Sequence, residues 1–379
     1  MKDITLGLFF TKGVSLARWE NSGLLDREKT IYEYMLEKGS LKKVVWFTYG
    51  VDDQKIAEEL IKQNKLNKNI RVIGIPKILS GRIGEWIYSF TIFIIKRKTI
   101  KKIDILKSNQ IYGSWAPVIV KIFSSKPFIL RSGYVKSGHY GQNFFIKKLF
   151  KIIERISFYF ADISVVSNQI DFDYVKKRYQ VKNLKINPSF VDTSIFFSDK
   201  KNNLREKNRM IYVGRLADVK NINNSIDAVL MAGFSIDIYG DGILKNEIKR
   251  KYKTEIEKKT VRLMGVLPNS ELAAKYRKYR FYILVSHIEG MSKTLMEAMA
   301  SGLICIVSNI PQNRSLVKNG YTGILSDGFG ANDIADTLSK LNNHNLDEIS
   351  SNAERYISKN FSLKQVSKNE LSNIYSVLK

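Results

Sequence analysis

The chain has 379 residues, of which 44% are hydrophobic, and 62 Lys and Arg against 36 Asp and Glu give it a formal net charge of +26. A chain of this length usually folds as two domains, and this apolar content is enough to fill two cores. Its one cysteine, Cys305, excludes an intramolecular disulfide framework, and no apolar run reaches the ~18–20 residues of a membrane span. Lys2 and Asp3 precede only a short apolar run, which predicts a first β-strand rather than a signal peptide, in a protein that stays in the cytoplasm.

Strand-like and helix-like patterns alternate along the chain. In the first half, apolar runs of strand length are separated by helical patterns such as residues 27–37 and 55–63. The strands predicted there are Ile4–Phe10, Val44–Tyr49, Arg71–Ile75, Ile105–Ser108, Phe128–Arg131 and Ile163–Ser167. The second half repeats the scheme, with strands predicted at Met210–Val213, Ile236–Tyr239, Val261–Met264, Phe281–Val285 and Ile304–Val307. Strands separated by helices indicate parallel sheets that bind ligands at the carboxyl ends of their strands.

An irregular stretch between Asn187 and Asn208 predicts the domain boundary, because it ends in a polar, charged run. We therefore expect a first domain of residues 1–190 and a second domain of residues 191–362. The final run, residues 363–379, has a helical pattern. Cys305 falls inside an apolar run, so we expect it to be a small buried core residue and not a nucleophile.

The positive charge is concentrated in one part of the first half, since residues 81–160 carry 15 basic and 3 acidic side chains. Within this stretch, residues 82–102 and 144–160 interleave Lys and Arg with large apolar side chains. This pattern is typical of a helix that lies on an anionic membrane surface, but a core-facing helix with a solvated basic face produces it too. No RNA- or DNA-binding motif accompanies the charge, so nucleic acid is the less favoured partner.

Glu289 and Glu297 lie eight positions apart, where a predicted strand is followed by a helix that ends at Gly302. Two carboxylates can accept hydrogen bonds from hydroxyl groups. Backbone N–H groups near the helix start, around Met291 to Lys293, can hold an anion. The segment therefore suits a ligand that carries both a sugar and a phosphate.

This segment resembles the E-x7-E signature of the retaining glycosyltransferases of family 4 (glycosyl transferases group 1), which adopt the GT-B fold. Three further elements support the resemblance in family order: Gly214-Arg215-Leu216 with Lys220-Asn221, then Ile238-Tyr239-Gly240-Asp241-Gly242, then Met264-Gly265-Val266 with Ser270-Glu271-Leu272 and Tyr276. The family's interdomain segment is similar to Val191-Asp192 with Phe196. The resemblance implies two Rossmann-like, doubly wound α/β domains that face a central cleft, with the final helix crossing back to the first domain.

The resemblance also implies an activity: transfer of a sugar from a UDP- or GDP-linked donor to a glycan or lipid-linked acceptor, in surface polysaccharide biosynthesis. Arg215 and Lys220 would neutralise the diphosphate, whose negative charge grows as the bond to the sugar breaks. Glu297 would hold the ribose hydroxyls, and Glu289 would contact the donor sugar, with a nucleophilic role less favoured.

The loop of Gly290, Met291, Ser292 and Lys293 would complete the donor site. Its sequence resembles the subgroup E-G-x-x-K rather than the more common aromatic-Gly pattern, which implies a different sugar pocket. In the first domain the family's Gly-Gly loop corresponds to Phe10–Ser15, where Gly13 is the candidate for close approach to substrate. His139 falls where relatives place a His or Asp near the donor sugar.

Asp171-Phe172-Asp173 matches the Asp-x-Asp pair with which many other glycosyltransferases bind a metal ion. It lies at the start of a predicted helix, Asp171–Tyr179, where acids complement the helix dipole. With two cations serving the diphosphate, we expect no metal and no cofactor. A GT-B nucleotide-sugar epimerase, a non-catalytic carbohydrate-binding relative and a nucleic-acid-binding protein remain alternatives.

Overall fold

The computed structural model describes residues 3–133, 135, 144–199 and 205–378, so His139 lies outside the described residues. The chain forms two compact units, Met1–Pro188 with Ser367–Lys379, and Ser189–Val366. The predicted boundary, after residue 190, lies two residues beyond Pro188, and the return at residue 363 that the family resemblance implies lies four residues before Ser367. Among the described residues, no helix is both long enough and apolar enough to cross a membrane.

The first unit contains a parallel sheet of seven strands in the order β3-β2-β1-β4-β5-β6-β7. The strands are β1 (Thr5–Phe9), β2 (Lys43–Phe47), β3 (Ile70–Ile73), β4 (Ile105–Ser108), β5 (Phe128–Ser132), β6 (Ile163–Val166) and β7 (Leu184–Ile186). The helices are α1 (Leu16–Asn21), α2 (Leu25–Glu37), α3 (Asp53–Lys62), α4 (Arg82–Ile95), α5 (Arg97–Ile100), α6 (Trp115–Ser124), α7 (Phe144–Phe160) and α8 (Gln169–Arg178). Most strands are almost fully buried, which explains their near-continuous apolar sequences.

The second unit contains a parallel sheet of six strands in the order β10-β9-β8-β11-β12-β13. The strands are β8 (Glu206–Val213), β9 (Ser235–Tyr239), β10 (Val261–Gly265), β11 (Tyr279–Leu284), β12 (Ile304–Ser308) and β13 (Ile324–Ser326). The helices are α9 (Ile222–Met231), α10 (Lys245–Lys251), α11 (Lys253–Glu257), α12 (Asn269–Tyr276), α13 (Lys293–Ala300), α14 (Pro311–Arg314), α15 (Ala331–Ser339), α16 (Leu346–Asn360) and α17 (Leu363–Val377), whose later turns belong to the first unit. Cys305 is fully buried on β12, and burial raises the pKa of its thiol well above the usual value.

The strand order reverses once in each sheet, between β1 and β4 in the first unit and between β8 and β11 in the second. At such a point the connections on either side leave the sheet in opposite directions and open a crevice at the carboxyl ends of the strands. The loops after β8 and β11 carry the Gly-Arg-Leu element and the two-glutamate segment. The topology therefore brings together two motifs that are more than 70 residues apart in sequence.

A buried ion pair joins α17 to the centre of the first sheet. Lys107 on β4 is 1% exposed, and its Nζ lies 2.5 Å from Oε1 of the buried Glu370 on α17. Asn187 donates to the other oxygen of Glu370 at 3.0 Å, and the ring of Tyr32 lies 5.2 Å from the ammonium. Burial alone opposes both charges, but their mutual attraction prevails, so the pKa of Lys107 is raised and the pKa of Glu370 is lowered.

Candidate active site

The loop after β8 is joined by backbone hydrogen bonds to the turn after β9. The N–H of Gly214 donates to the carbonyl of Tyr239, and the N–H of Leu216 donates to the carbonyl of Asp241, each at 3.0 Å. These bonds require the two segments to lie backbone to backbone. A side chain on Gly240 would place its Cβ 1.9 Å from the Gly214 carbonyl oxygen, which explains the glycine at this position.

Replacing Gly240 by alanine should displace the loop that carries Arg215. Its φ of +150° adds backbone strain to the clash. We expect a lower melting temperature together with weaker nucleotide binding, measured by thermal unfolding with and without UDP. Gly233→Ala is the matched control, because Gly233 also has a positive φ, +78°, but a Cβ there would meet nothing within 4 Å. Equal effects of the two substitutions on nucleotide binding would contradict this role of Gly240.

Lys220 and Glu289 form an ion pair at the point where the strand order reverses. The Nζ of Lys220 donates to Oε1 of Glu289 at 2.6 Å, with the two side chains 18% and 6% exposed. Lys220 ends a short 3-10 segment, Asp218–Lys220, after β8, and Glu289 lies in the loop after β11. The ammonium has three donors, so it can hold Glu289 and still donate to an anion of a bound ligand.

Asn221 holds the turn that follows Lys220. Its φ of +52° is left-handed, a conformation that asparagine tolerates better than most residues. Its side-chain amide donates at 2.8 Å to the carbonyl of Phe329 in the loop after β13. Asn221 belongs to the Lys220-Asn221 motif, and in the structure it positions the lysine.

The start of α13 is positioned by buried hydroxyl groups. Ser292 is the N-cap residue and accepts a hydrogen bond from the N–H of Leu295 at 3.4 Å. Tyr276 donates to the carbonyl of Thr294 at 3.2 Å, and the hydroxyl of Tyr282 lies 3.0 Å from Oγ1 of Thr294. The first N–H groups of an α-helix have no acceptor within the helix, so this fixed helix start is suited to an anion.

Arg215 and Glu297 flank the ion pair in sequence and differ in exposure. The Arg215 side chain is exposed just after β8, and its carbonyl accepts a hydrogen bond from the Tyr212 hydroxyl at 3.2 Å. Burial, with the charge of Glu289 nearby, raises the pKa of Tyr212, so this hydroxyl remains a donor. Glu297 lies within α13 and is 4% exposed.

The remaining loop residues contact the first residues of the second unit. The Met291 sulfur accepts from the N–H of Ser189 at 3.3 Å, and Nζ of Lys293 lies 5.5 Å from the centre of the Phe190 ring. Gly290 is half-buried between Glu289 and this contact. The loop predicted to hold the donor is thus fixed from both sides.

Gly13 belongs to the first unit and lies in the loop after β1. It has a φ of +75°, and an added Cβ would be in ordinary contact, 3.4 Å, with Oε2 of Glu85. Its backbone conformation, not lack of space, therefore requires glycine. The preceding residue, Lys12, pairs with Glu85 at 2.8 Å and lies 4.8 Å from the centre of the Trp86 ring, contacts that no local sequence pattern indicated.

Both acids of the Asp171-Phe172-Asp173 motif bond to amides at the start of α8. Asn168 is the N-cap residue, its Oδ1 accepts from the N–H of Asp171 at 2.8 Å, and its Nδ2 donates to the Asp171 carboxylate at 3.0 Å. Gln169 donates to Asp173 at 2.8 Å. Within the described part of the chain, no group of three or more His, Cys, Asp or Glu side chains is arranged to hold a metal ion.

Residues 194–360 match the family of glycosyl transferases group 1. These residues form a group 1 glycosyltransferase domain. The matched residues lie in the second unit and contain Arg215, Lys220, Glu289 and Glu297, whereas the two candidates of the first unit, Gly13 and His139, lie outside the match.

Two curated relatives extend the match of this glycosyltransferase. One is the GalNAc-alpha-(1->4)-GalNAc-alpha-(1->3)-diNAcBac-PP-undecaprenol alpha-1,4-N-acetyl-D-galactosaminyltransferase of Campylobacter jejuni, 25% identical over 69% of this chain and 72% of the relative. The other is the UDP-Gal:alpha-D-GlcNAc-diphosphoundecaprenol alpha-1,3-galactosyltransferase of Escherichia coli, 32% identical over 43% of this chain and 41% of the relative. The chain thus spans less than half the length of the second relative.

A solved structure supports the fold of this glycosyltransferase over nearly its whole length. An Anabaena protein crystallised in complex with UDP and glucose superposes with a TM-score of 0.74, covering 98% of this chain and 99% of that chain at 13% identity. At this identity the likeness concerns the fold alone. Together with the two parallel α/β units, it confirms the predicted GT-B fold class.

Proposed function

We propose that this glycosyltransferase transfers a sugar from a nucleoside diphosphate sugar to a lipid-linked glycan, with retention of the anomeric configuration. The observation that carries the proposal is the Lys220–Glu289 ion pair, 2.6 Å long and nearly buried, beside the start of α13. It places a cation for the diphosphate next to a carboxylate for the sugar hydroxyls. Both groups would then act at the bond that breaks between the sugar and the diphosphate.

The departure of the nucleoside diphosphate is the step that the cations assist. Negative charge grows on the leaving phosphate, so a fixed cation beside it stabilises the transition state more than the ground state. In this proposal Lys220 supplies a fixed charge, and the exposed guanidinium of Arg215 provides a planar fork for two phosphate oxygens. With both in place the reaction proceeds without a metal ion or other cofactor.

The two acids hold the rest of the donor in this proposal. Glu297 accepts from the ribose hydroxyls, and Glu289 contacts the sugar and steadies the positive charge that develops on its ring. Gly290 to Lys293 line the phosphates and the sugar, while Gly13 in the first unit serves substrate binding there. From the family resemblance alone, we also predict that His139 contacts the donor sugar.

The names of the two curated relatives support a UDP-linked donor and a lipid-linked acceptor. The Escherichia coli relative is named for a UDP-linked sugar and a diphosphoundecaprenol acceptor, and the Campylobacter relative for an undecaprenol-linked glycan. We therefore propose that this chain uses a UDP-linked donor, with a GDP-linked donor as the second choice. The proposed acceptor is a polyprenyl-diphosphate-linked glycan used in surface polysaccharide assembly. Such an acceptor resides in a membrane, so the enzyme would work at its cytoplasmic face, where the basic first unit would meet anionic lipid.

Nucleotide binding tests the donor site directly. Thermal unfolding would be followed with UDP, GDP and ADP and their common sugar conjugates, in EDTA and separately with Mg²⁺ or Mn²⁺. We expect stabilisation by UDP or GDP in EDTA, which is lost in Arg215→Ala and in Glu297→Gln. The glutamine keeps the volume of a buried side chain, and Arg250→Ala, an exposed arginine on α10, is the control for loss of charge.

Two outcomes would contradict the proposal. Stabilisation that requires a divalent cation would refute the metal-independent donor site, and no stabilisation by any nucleotide would refute the transferase assignment of these residues. Retention is tested separately, from the anomeric configuration of the product by NMR. An inverted product would leave donor binding intact and overturn the proposed role of Glu289.

A further inference from the structure

Helices α4 and α7 each expose a stripe of apolar side chains on the surface of the first unit. On α4 the residues Ile83, Ile87, Phe90 and Ile94, at heptad spacing, are all exposed, while Tyr88, Ser89 and Ile92 are buried. On α7 the exposed stripe is Leu149, Ile152, Ile156 and Tyr159. An apolar face of this extent on a folded domain indicates an interaction surface.

Packing against the core accounts for only some of the apolar residues of α7: Phe158 is buried and Ile153 and Phe160 pack against the core, but the exposed stripe does not. Glu154 and Ser157 are buried, and the hydroxyl of Tyr179 donates to the Glu154 carboxylate at 2.6 Å. The helix therefore buries a satisfied polar group beside its inward apolar residues and still exposes Leu149, Ile152 and Ile156. This arrangement is unfavourable in water and becomes favourable only when something apolar covers the outer face.

A groove next to this face has the size of a ligand site. It lies where the ends of α4 and α6 meet α5, has a volume of about 490 Å³, and is walled by Phe93 and Phe123, whose rings stack at 4.1 Å. Ligand sites are commonly ~300–1,000 Å³ in volume. The floor is apolar, formed by Ile94, Ile100 and Val120.

The charges around the groove select the occupant. The nine described residues that line it include three cations, Arg97, Lys101 and Lys126, and no carboxylate. A second copy of this chain would bring the same cations together and be repelled. An apolar groove whose rim carries cations and no carboxylate instead suits an amphiphile with an anionic head.

We propose that the groove binds an anionic phospholipid of the membrane surface, with an acyl chain against Phe93 and Phe123 and the phosphate beside Arg97 and Lys101. The outward stripes of α4 and α7 then rest on the bilayer around this lipid. This site goes beyond the proposed transferase function. It lies within the first unit alone, so it stands or falls independently of nucleotide binding.

Vesicle binding by the full chain tests the site with two matched pairs of variants. Vesicles would contain phosphatidylcholine alone, or equal parts of phosphatidylcholine and phosphatidylglycerol, and sedimentation would give the bound fraction. Phe123→Ser is compared with Ile122→Ser, since the two neighbours are 66% and 51% exposed but only Phe123 lines the groove. Arg97→Gln is compared with Lys98→Gln, an adjacent exposed cation outside the groove.

We expect binding to the phosphatidylglycerol vesicles only. Losing one cation near an anionic surface weakens adsorption by roughly fivefold at any position, so Lys98→Gln measures that baseline. Arg97→Gln and Phe123→Ser should each weaken binding several-fold more than their controls. Phosphatidylglycerol with brominated chains should also quench Trp86, the one exposed tryptophan among the four, all of which lie in the described chain.

Equal losses in each pair would mean nonspecific adsorption and would overturn the lipid site. Absence of vesicle binding, or self-association that the same variants abolish, would overturn it as well. Nucleotide-dependent stabilisation, measured on every variant, establishes that the donor unit is folded. A lipid result of either sign can therefore be separated from a failure of the transferase proposal.

Discussion

Replacing Lys220 by methionine should lower kcat/KM for sugar transfer by about 10²-fold or more, the usual effect of removing a fixed charge that stabilises a transition state. The ammonium is only 18% exposed and touches Glu289, so its loss removes a charge for the diphosphate and also leaves a nearly buried carboxylate without its partner. The decrease should appear mainly in kcat if the charge acts on the leaving group. Steady-state kinetics with the preferred donor gives the measurement.

Lys245→Met is the control for this prediction. Lys245, the first residue of α10, also forms an ion pair, with Asp241 in the turn after β9 at 2.7 Å, but both side chains are exposed. Exposed pairs contribute about 0–1 kcal/mol, so this variant should keep nearly all activity. Lys220→Arg, which retains the charge, should recover part of the lost rate. If Lys220→Met kept activity within a few-fold of wild type, the ion pair would be structural and the proposed mechanism wrong.

Replacing Glu370 by glutamine should destabilise the first unit by about 3–5 kcal/mol, the cost of breaking a buried ion pair from one side. The change leaves the Lys107 ammonium, 1% exposed, without its counter-charge on the central strand β4. Hydrogen exchange measured on peptides from β4 and α17 would report the loss where it occurs. The double variant Lys107→Met, Glu370→Leu should recover most of the stability, because two apolar side chains need no partner.

An exposed pair provides the control. Asp336→Asn removes a 2.5 Å contact with Lys340, both side chains being more than half exposed, and should change stability by less than about 1 kcal/mol. If Glu370→Gln had as little effect as this control, the buried pair would contribute nothing to holding α17.

The Lys107–Glu370 pair also predicts how the free energy of unfolding depends on pH. The pKa of Glu370 is lowered in the folded chain, so its contribution is present above the unfolded value of ~4.3 and is lost as the pH falls through the folded value. The pKa of Lys107 is raised, so its contribution is present below ~10.4 and is lost as the pH rises through the folded value. The stability difference between wild type and Glu370→Gln should therefore be fully present just above about pH 5 and shrink on the acid side, as the pH falls through the folded pKa of Glu370. A difference unchanged at acid pH would contradict this assignment.

The sequence was sufficient for the fold class because buried parallel strands are apolar along their whole length. The sequence was insufficient to predict where a strand begins when its first residues are polar. Strand β8 begins at Glu206, not at Met210, because its first residues pair through the backbone, with Glu206 opposite Tyr279, while their side chains remain exposed. Strand β7 is not among the predicted strands for a different reason: it has only three residues, Leu184–Ile186, at an exposed edge of the sheet, too few for a strand pattern.

The candidate site, too, could be predicted from the sequence only in part. Arg215, Lys220, Glu289 and Glu297 were all assigned from motifs, since each motif is local. The contact between Lys220 and Glu289 could not be inferred, because it depends on β8 lying beside β11 in the sheet. Lys107 looked like an ordinary residue within an apolar run, and nothing near it in sequence indicates an acid on the last helix.

The return of α17 to the first unit has a consequence for biosynthesis. The amide of Asn187 reaches a carboxylate 183 residues later in the chain, and β4, near the middle of the first sheet, depends on the same late helix. On the ribosome, the second unit is therefore made in full before the first can be completed. Until then Lys107 has no counter-ion, so the nascent first unit should be the part of the enzyme that chaperones recognise and proteases cleave.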